Sequence, residues 1–222
     1  MCIQRTQALK MGLYGSKKAR AAIDSTFIHA YSRRKKKAGV SDKGARVGKV
    51  QRTTYALGWR AHTIATHERL PLTYAIRPAN VNDKAVAPKL LNQALEFRKL
   101  VAIRTLIADA QYYCADFFKL LAKRRIKAVI PAPPQVKEPM INLRVRRGFV
   151  VEGGKMLVRL YRKRMIVEQV FRAGKRQLNL DNLRWRGAAK VRMHVALCYS
   201  AVAITANKMG KPMIAHSIEA FQ

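Results

Sequence analysis

Hydrophobic and polar positions divide the chain into runs of two periods. Apolar, β-branched stretches at roughly 20–31 (containing AAIDSTFIHAY), 55–66 (YALGWRAHTIAT) and 70–78 (LPLTYAIRP) predict three strands. The second and third are joined by the turn-like His67-Glu68-Arg69, so the three suggest an antiparallel meander. Between the first two lies RRKKKAGVSDKGARVGKVQRT, from Arg33 to Thr53. It is charged, glycine-punctuated and aperiodic, and predicts a long, mobile, cationic loop. Asn82 and Asp83 offer N-caps to a helix reaching about Glu96, with Val86, Leu90, Leu91, Ala94 and Leu95 at helical spacing. VAIRTLIADA then supplies a fourth strand ending at Asp109.

A helix over Ala115 to Arg124 leads into the short strand IKAVIPAP, and two strands flanking a helix make a βαβ crossover. Alternation in LRVRRGFVV and KMLVRLY predicts a β-hairpin over residues 144–161 that turns at Gly153-Gly154. Two helices follow, from about Tyr161 to Leu178 and from about Ala188 to Lys208. The order β-β-β-α-β-α-β, a small insertion, then α is that of the ribonuclease H-like fold, an α/β sandwich with a mixed sheet.

Composition narrows the class of partner. The chain has 222 residues, with 45 Lys and Arg against 12 Asp and Glu, a formal net charge of +33. Such self-repulsion is tolerated when an anionic polymer neutralises it, and nucleic acid is the leading candidate. The basic residues are spread along the chain rather than gathered beside an apolar span, which argues against a membrane partner. Cys2, Cys114 and Cys198 have neither disulfide-framework nor zinc spacing. The apolar run at 195–206 is too short to span a bilayer, and the start of the chain lacks a signal-peptide pattern, so a soluble, intracellular protein is expected.

Against this basic background Asp24 stands in an apolar strand. In the predicted topology that strand is central, and the strand ending at Asp109 pairs beside it in parallel, so the two carboxylates become neighbours. Two adjacent carboxylates repel strongly unless a cation neutralises both, and hard oxygen donors suit Mg²⁺ or Mn²⁺. A third ligand is expected from the helix after the insertion, where Glu168 is the acidic residue in RKRMIVEQVFRAGK. With Arg164 at zero, 100° per residue puts Tyr161 at about 60°, Glu168 at about 40° and Lys175 at about 20°, so the four share a face. Ile166, Val170 and Ala173 fall on the opposite, core-facing side.

The spacing Tyr161-x2-Arg164-x3-Glu168-x6-Lys175 matches the Y-R-E-K signature of a large group of prokaryotic insertion-sequence transposases of the DDE class. AIDST, LPLTYAIRPANVND and LIADAQYY resemble the Asp-containing blocks of that family in the same order, so the resemblance runs from about Ala21 to about Ala206. It implies a DNA-transposing enzyme with Asp24, Asp109 and Glu168 as catalytic and metal-binding triad, using Mg²⁺ or Mn²⁺, two ions in all. Cleavage at the transposon 3′ end and attack of the freed hydroxyl on target DNA would follow, without a small-molecule substrate. Tyr161, Arg164 and Lys175 would hold phosphates near the cut, and Arg33, Arg34, Lys35, Lys36 and Lys37 would track the DNA backbone.

The resemblance further implies a DNA-bound dimer acting in a prokaryotic cytoplasm, at the nucleoid. Residues 20–208 are expected to form the catalytic domain, with an insertion at about 131–160, a short segment (1–19) before it and a tail (209–222) after it. The family usually carries a helical DNA-binding region ahead of the first Asp block, whereas 23 residues precede Asp24 here, so a catalytic domain alone is expected, from a truncated or remnant copy. Asp83 also falls in a family block, but an N-cap explains it. His62 either lies near the site or is a structural histidine, and Trp59 and Trp185 either stack on bases or pack in the core. A ribonuclease H-like nuclease and a non-catalytic basic nucleic-acid-binding protein are the alternatives.

Overall fold

The computed structural model describes residues 18–32, 34–35, 39–50, 53–96, 101–146 and 149–208. Its main sheet is built from β1 (Lys18–His29), β4 (Arg46–Lys49), β5 (Tyr55–Thr66), β6 (Pro71–Pro78), β7 (Ala102–Ile107) and β8 (Lys127–Val129). Strand β5 pairs antiparallel with both β1 and β6, while β1–β7 and β7–β8 are parallel. The spatial order β6-β5-β1-β7-β8 makes β1 the centre of a mixed sheet. This is the ribonuclease H-like arrangement expected from the sequence.

Alternation along the central strand distributes its side chains between two cores. Ala21 and Ile23 pack with Leu90, Leu91, Phe117 and Leu121, from helices α1 (Asp83–Leu95) and α2 (Ala115–Lys123). Ala22 and Ile28 pack on the other face with Val167, Val170, Val191 and Val195, from helices α4 (Met165–Leu178) and α5 (Ala188–Lys208). Covering both faces explains why β5 is buried almost continuously after its first residues rather than alternately. Between β8 and α4 lie the hairpin β9 (Leu143–Arg146) and β10 (Phe149–Gly153) and the short helix α3 (Lys155–Tyr161). Among the described residues no helix is long and apolar enough to cross a membrane.

Four expectations are corrected. The cationic segment is not wholly loop, because Arg46–Lys49 forms β4 on β5, and Arg34–Lys35 (β2) pairs with Gly39–Val40 (β3). The insertion hairpin closes before Phe149, and KMLVRLY is helical: Gly153, at φ 154°, ends β10 and Gly154 precedes α3. The helix after the insertion is broken at its start, where Arg162–Arg164 forms a 3-10 turn before α4 begins at Met165. Its buried face consists of Val167, Val170, Phe171 and Gly174, so the core lies about a third of a turn, not half a turn, from Glu168. Ile166 and Ala173 are only partly buried.

Candidate active site

Asp24 lies in the interior of the β1–β5 pairing, opposite Thr63, and alternation aims its side chain at the α4 face. The parallel ladder aligns Ala22 with Ile107, and two more residues on each strand bring Asp24 level with Asp109. Asp109 stands two residues past the end of β7, and its side chain accepts a hydrogen bond from the Gln111 amide at 2.9 Å, capping the 3-10 turn Ala110–Tyr112. Asp24 accepts from the Ser25 amide at 2.8 Å. Burial pushes the Asp24 carboxyl up to about 7, opposed by Arg164 and reinforced by the negative charge of Asp109. Burial also raises the Asp109 carboxyl, against the Gln111 amide and Arg164.

The 3-10 turn delivers Arg164 to this pair. Its Nη1 donates to Asp24 Oδ2 at 2.6 Å, and its Nη2 donates to Glu168 Oε1 one helical turn further on. One guanidinium therefore joins the sheet carboxylate to the helix carboxylate, and the charge of Asp109 is felt at both Asp24 and Arg164. Tyr161 is half-buried beside Arg164, and burial raises its phenol. Together with Arg162, Met165, Val158 and residues Phe149–Gly153 of β10, it lines a cleft of about 440 Å³ adjoining the site.

Lys175 is placed differently. Seven residues along α4 from Glu168, or about 10 Å of helix rise, its Nζ donates to the Phe27 carbonyl at 3.3 Å and lies 3.8 Å from Asp181. It backs the end of β1 rather than joining the carboxylates. Arg33, Lys36 and Lys37 lie outside the described residues, and Arg34 and Lys35 sit on β2. Trp59 is core, donating its indole N–H to buried Asp42 at 3.3 Å, whereas Trp185 is exposed.

Asp83 is not the helix cap. Asn82 caps α1, accepting from the Lys84 amide at 3.0 Å, which leaves the buried Asp83 carboxylate 3.0 Å from His62 Nδ1 and 3.5 Å from Arg60 Nη1. His62 and Arg60 hold that carboxyl below its ordinary range despite its burial. Sequence carried one signal for this: a helix start needs a single cap, so the second of two adjacent capping residues was spare.

The donor chemistry of Asp24, Asp109 and Glu168 fits a hard divalent cation, and Arg164 supplies positive charge between two of them. Among the described residues no three acidic, His or Cys side chains are drawn together tightly enough to grip an ion as they stand. Glu168 points at Arg164, so it would have to exchange that partner.

The family model described as the transposase DDE domain matches residues 15–204. The chain belongs to this family. Among solved structures, the DDE domain chain is similar to the Mos1 transposase paired-end complex with left transposon end, at 14% identity over 56% of this chain and 40% of that one, with a TM-score of 0.34. A Mos1 mariner paired-end complex with Mn matches at 14% identity over the same shares, with a TM-score of 0.33. The Drosophila P element transposase strand transfer complex matches at 12% identity over 91% of this chain and 49% of that one, with a TM-score of 0.25. The DDE domain chain thus spans 40% of the length of the Mos1 chains and about half that of the P element chain. Among curated proteins none matches it.

Proposed function

We propose that this chain is the catalytic domain of an insertion-sequence DNA transposase, spanning about residues 20–208 with its insertion at about 131–160, and that Asp24, Asp109 and Glu168 are its catalytic carboxylates. The observation that carries this reading is the guanidinium of Arg164 held between Asp24 and Glu168, since it draws carboxylates from two distant sequence blocks onto one cation. Membership of the DDE domain family supports it.

Asp24, Asp109 and Glu168 would hold Mg²⁺ or Mn²⁺, two ions by analogy, which when bound supply Lewis-acid stabilisation of the oxygens exchanged at phosphorus. The chain's own residues do the rest. Asp24 sits within β1 and Asp109 two residues past the end of the neighbouring parallel strand β7, held there by its cap on the Gln111 amide, so the sheet and that turn together set their separation. Arg164, once its two carboxylates have another counter-charge, presents its planar fork to phosphate oxygens beside the cut. Tyr161 offers a phenol donor at the mouth of the adjoining cleft. In the first displacement a water oxygen bonds to phosphorus as the bond to the transposon 3′ oxygen breaks, and that oxygen takes up a proton. In the second, the 3′ oxygen bonds to a target phosphorus and displaces a target 3′ oxygen.

DNA is the substrate, as transposon end and as target, and two chains bridged by DNA would act together at the nucleoid of a prokaryotic cytoplasm. The test is cleavage and strand transfer by the purified protein on element-end DNA with Mg²⁺ or Mn²⁺, beside Asp109→Ala. Activity in the wild type alone supports the reading. Equal activity in the variant refutes the triad.

A further inference from the structure

The face of the sheet opposite Glu168 carries a second polar cluster directly behind the site. Ser25 follows Asp24 and, by alternation, points to the α1 face, where the ladder sets it opposite His62. Arg60 Nη1 lies 3.4 Å from Ser25 Oγ and 3.5 Å from Asp83 Oδ2, and its Nη2 donates to the Lys49 carbonyl of β4 at 2.8 Å. Asp83 Oδ1 meets His62 Nδ1 at 3.0 Å, and neither His62 nor Asp83 is open to solvent. The negative charge of Asp83 is felt at Asp109, and the buried Tyr112 hydroxyl lies in the field of Asp83, Asp24 and Asp109 together.

A buried ion cluster is a poor way to gain stability, since apolar residues of similar size commonly do as well or better. This one adjoins both catalytic strands and the base of the cationic segment. We propose that Asp83, acting through Arg60 and His62, is a positioning residue that fixes the middle of β1, at Ser25, so that Asp24 and Asp109 present their oxygens at one spacing.

This inference rests on the proposed metal-dependent chemistry, and the experiment separates the two. Wild type, Asp83→Asn, Ser25→Ala and the double variant are compared by urea unfolding in EDTA, by calorimetric titration with Mn²⁺, and by Mn²⁺-dependent nicking of supercoiled plasmid DNA with kcat and KM resolved. Asp83→Asn is expected to weaken Mn²⁺ binding about tenfold and to lower kcat about a hundredfold, with KM for DNA changed less than about twofold. Ser25→Ala gives a smaller loss in the same direction, and the double variant is no worse than Asp83→Asn, because both interrupt one path. If Asp83→Asn does not fold, Arg60→Gln, at a partly exposed side chain, takes its place with the same expected pattern. Unchanged Mn²⁺ affinity and kcat in the folded variants, whatever their stability, would overturn the positioning role and leave the metal chemistry standing. A wild type that neither binds Mn²⁺ nor nicks DNA would overturn the proposed function, and this inference with it.

Discussion

Arg164 Nη1 lies 2.6 Å from Asp24 Oδ2 across 140 residues of sequence, and the same guanidinium reaches Glu168. In the metal-free protein Arg164 is therefore the counter-charge of the site. Arg164→Ala leaves two carboxylates facing one another without it, and the expected cost is about 1–3 kcal/mol, tempered by the partial exposure of the group. Added Mn²⁺ should recover most of that loss, because a bound cation restores the missing positive charge. Thermal unfolding of the variant with EDTA and with Mn²⁺ measures both.

Proton linkage gives a prediction of definite sign. Asp24 has a folded-state value of about 7 against an ordinary 3.8, so the folded chain holds this proton more tightly than the unfolded one. Its contribution to stability is complete below 3.8 and is lost as pH rises through about 7. Asp109 is shifted in the same direction, whereas Asp83 is shifted down and stays ionised throughout this window. Urea unfolding in EDTA should accordingly show lower stability at pH 8 than at pH 5, and Asp24→Asn should flatten the difference. Mn²⁺ should reverse the trend, since binding requires the ionised carboxylates.

Strand β4 rests on one close approach. A Cβ at Gly48 would stand 2.3 Å from the Ala79 carbonyl oxygen, a backbone atom that cannot turn aside. Gly48→Ala is expected to destabilise the fold by about 1–3 kcal/mol in urea unfolding.

With a net charge of +33, binding of the chain to DNA should be dominated by released counterions. Affinity for any duplex should fall about a thousandfold or more between roughly 50 and 200 mM salt if six or more phosphates are engaged. Fluorescence anisotropy across that range measures the slope. A flat response contradicts a cationic groove.

Strand order and the positions of Asp24 and Asp109 were legible because β1, β5, β6 and β7 are long or strongly β-branched, and both faces of the sheet are covered. Strand β4 was not: Gly48 is its one buried residue, so RVGK carries no apolar pattern to distinguish strand from loop. KMLVRLY fits either period, and α3 buries none of its side chains fully: Leu157, Leu160 and Tyr161 are only partly buried against the core, a weak helical face. Tyr161, Arg164, Glu168 and Lys175 are expected on one face of an unbroken helix; the structure joins Arg164 to Glu168 with Tyr161 beside it, places Lys175 about 10 Å further along, and supplies Arg164 from a 3-10 turn that has no residue signature in RKR. The capping residues Asn82 and Asp83 were interchangeable on paper. Only the position of β5 beneath α1, with Arg60 and His62 facing Asp83, separates their roles.

Three carboxylates from distant parts of the chain are proposed to act as one cation-dependent site. Titration of the metal-stripped protein with Mn²⁺, followed by electron paramagnetic resonance of the free ion, tests it most directly. The wild type should bind saturably, and each of Asp24→Asn, Asp109→Asn and Glu168→Gln should lose about tenfold or more in affinity with the fold intact. Equal affinity in the wild type and all three variants would contradict it.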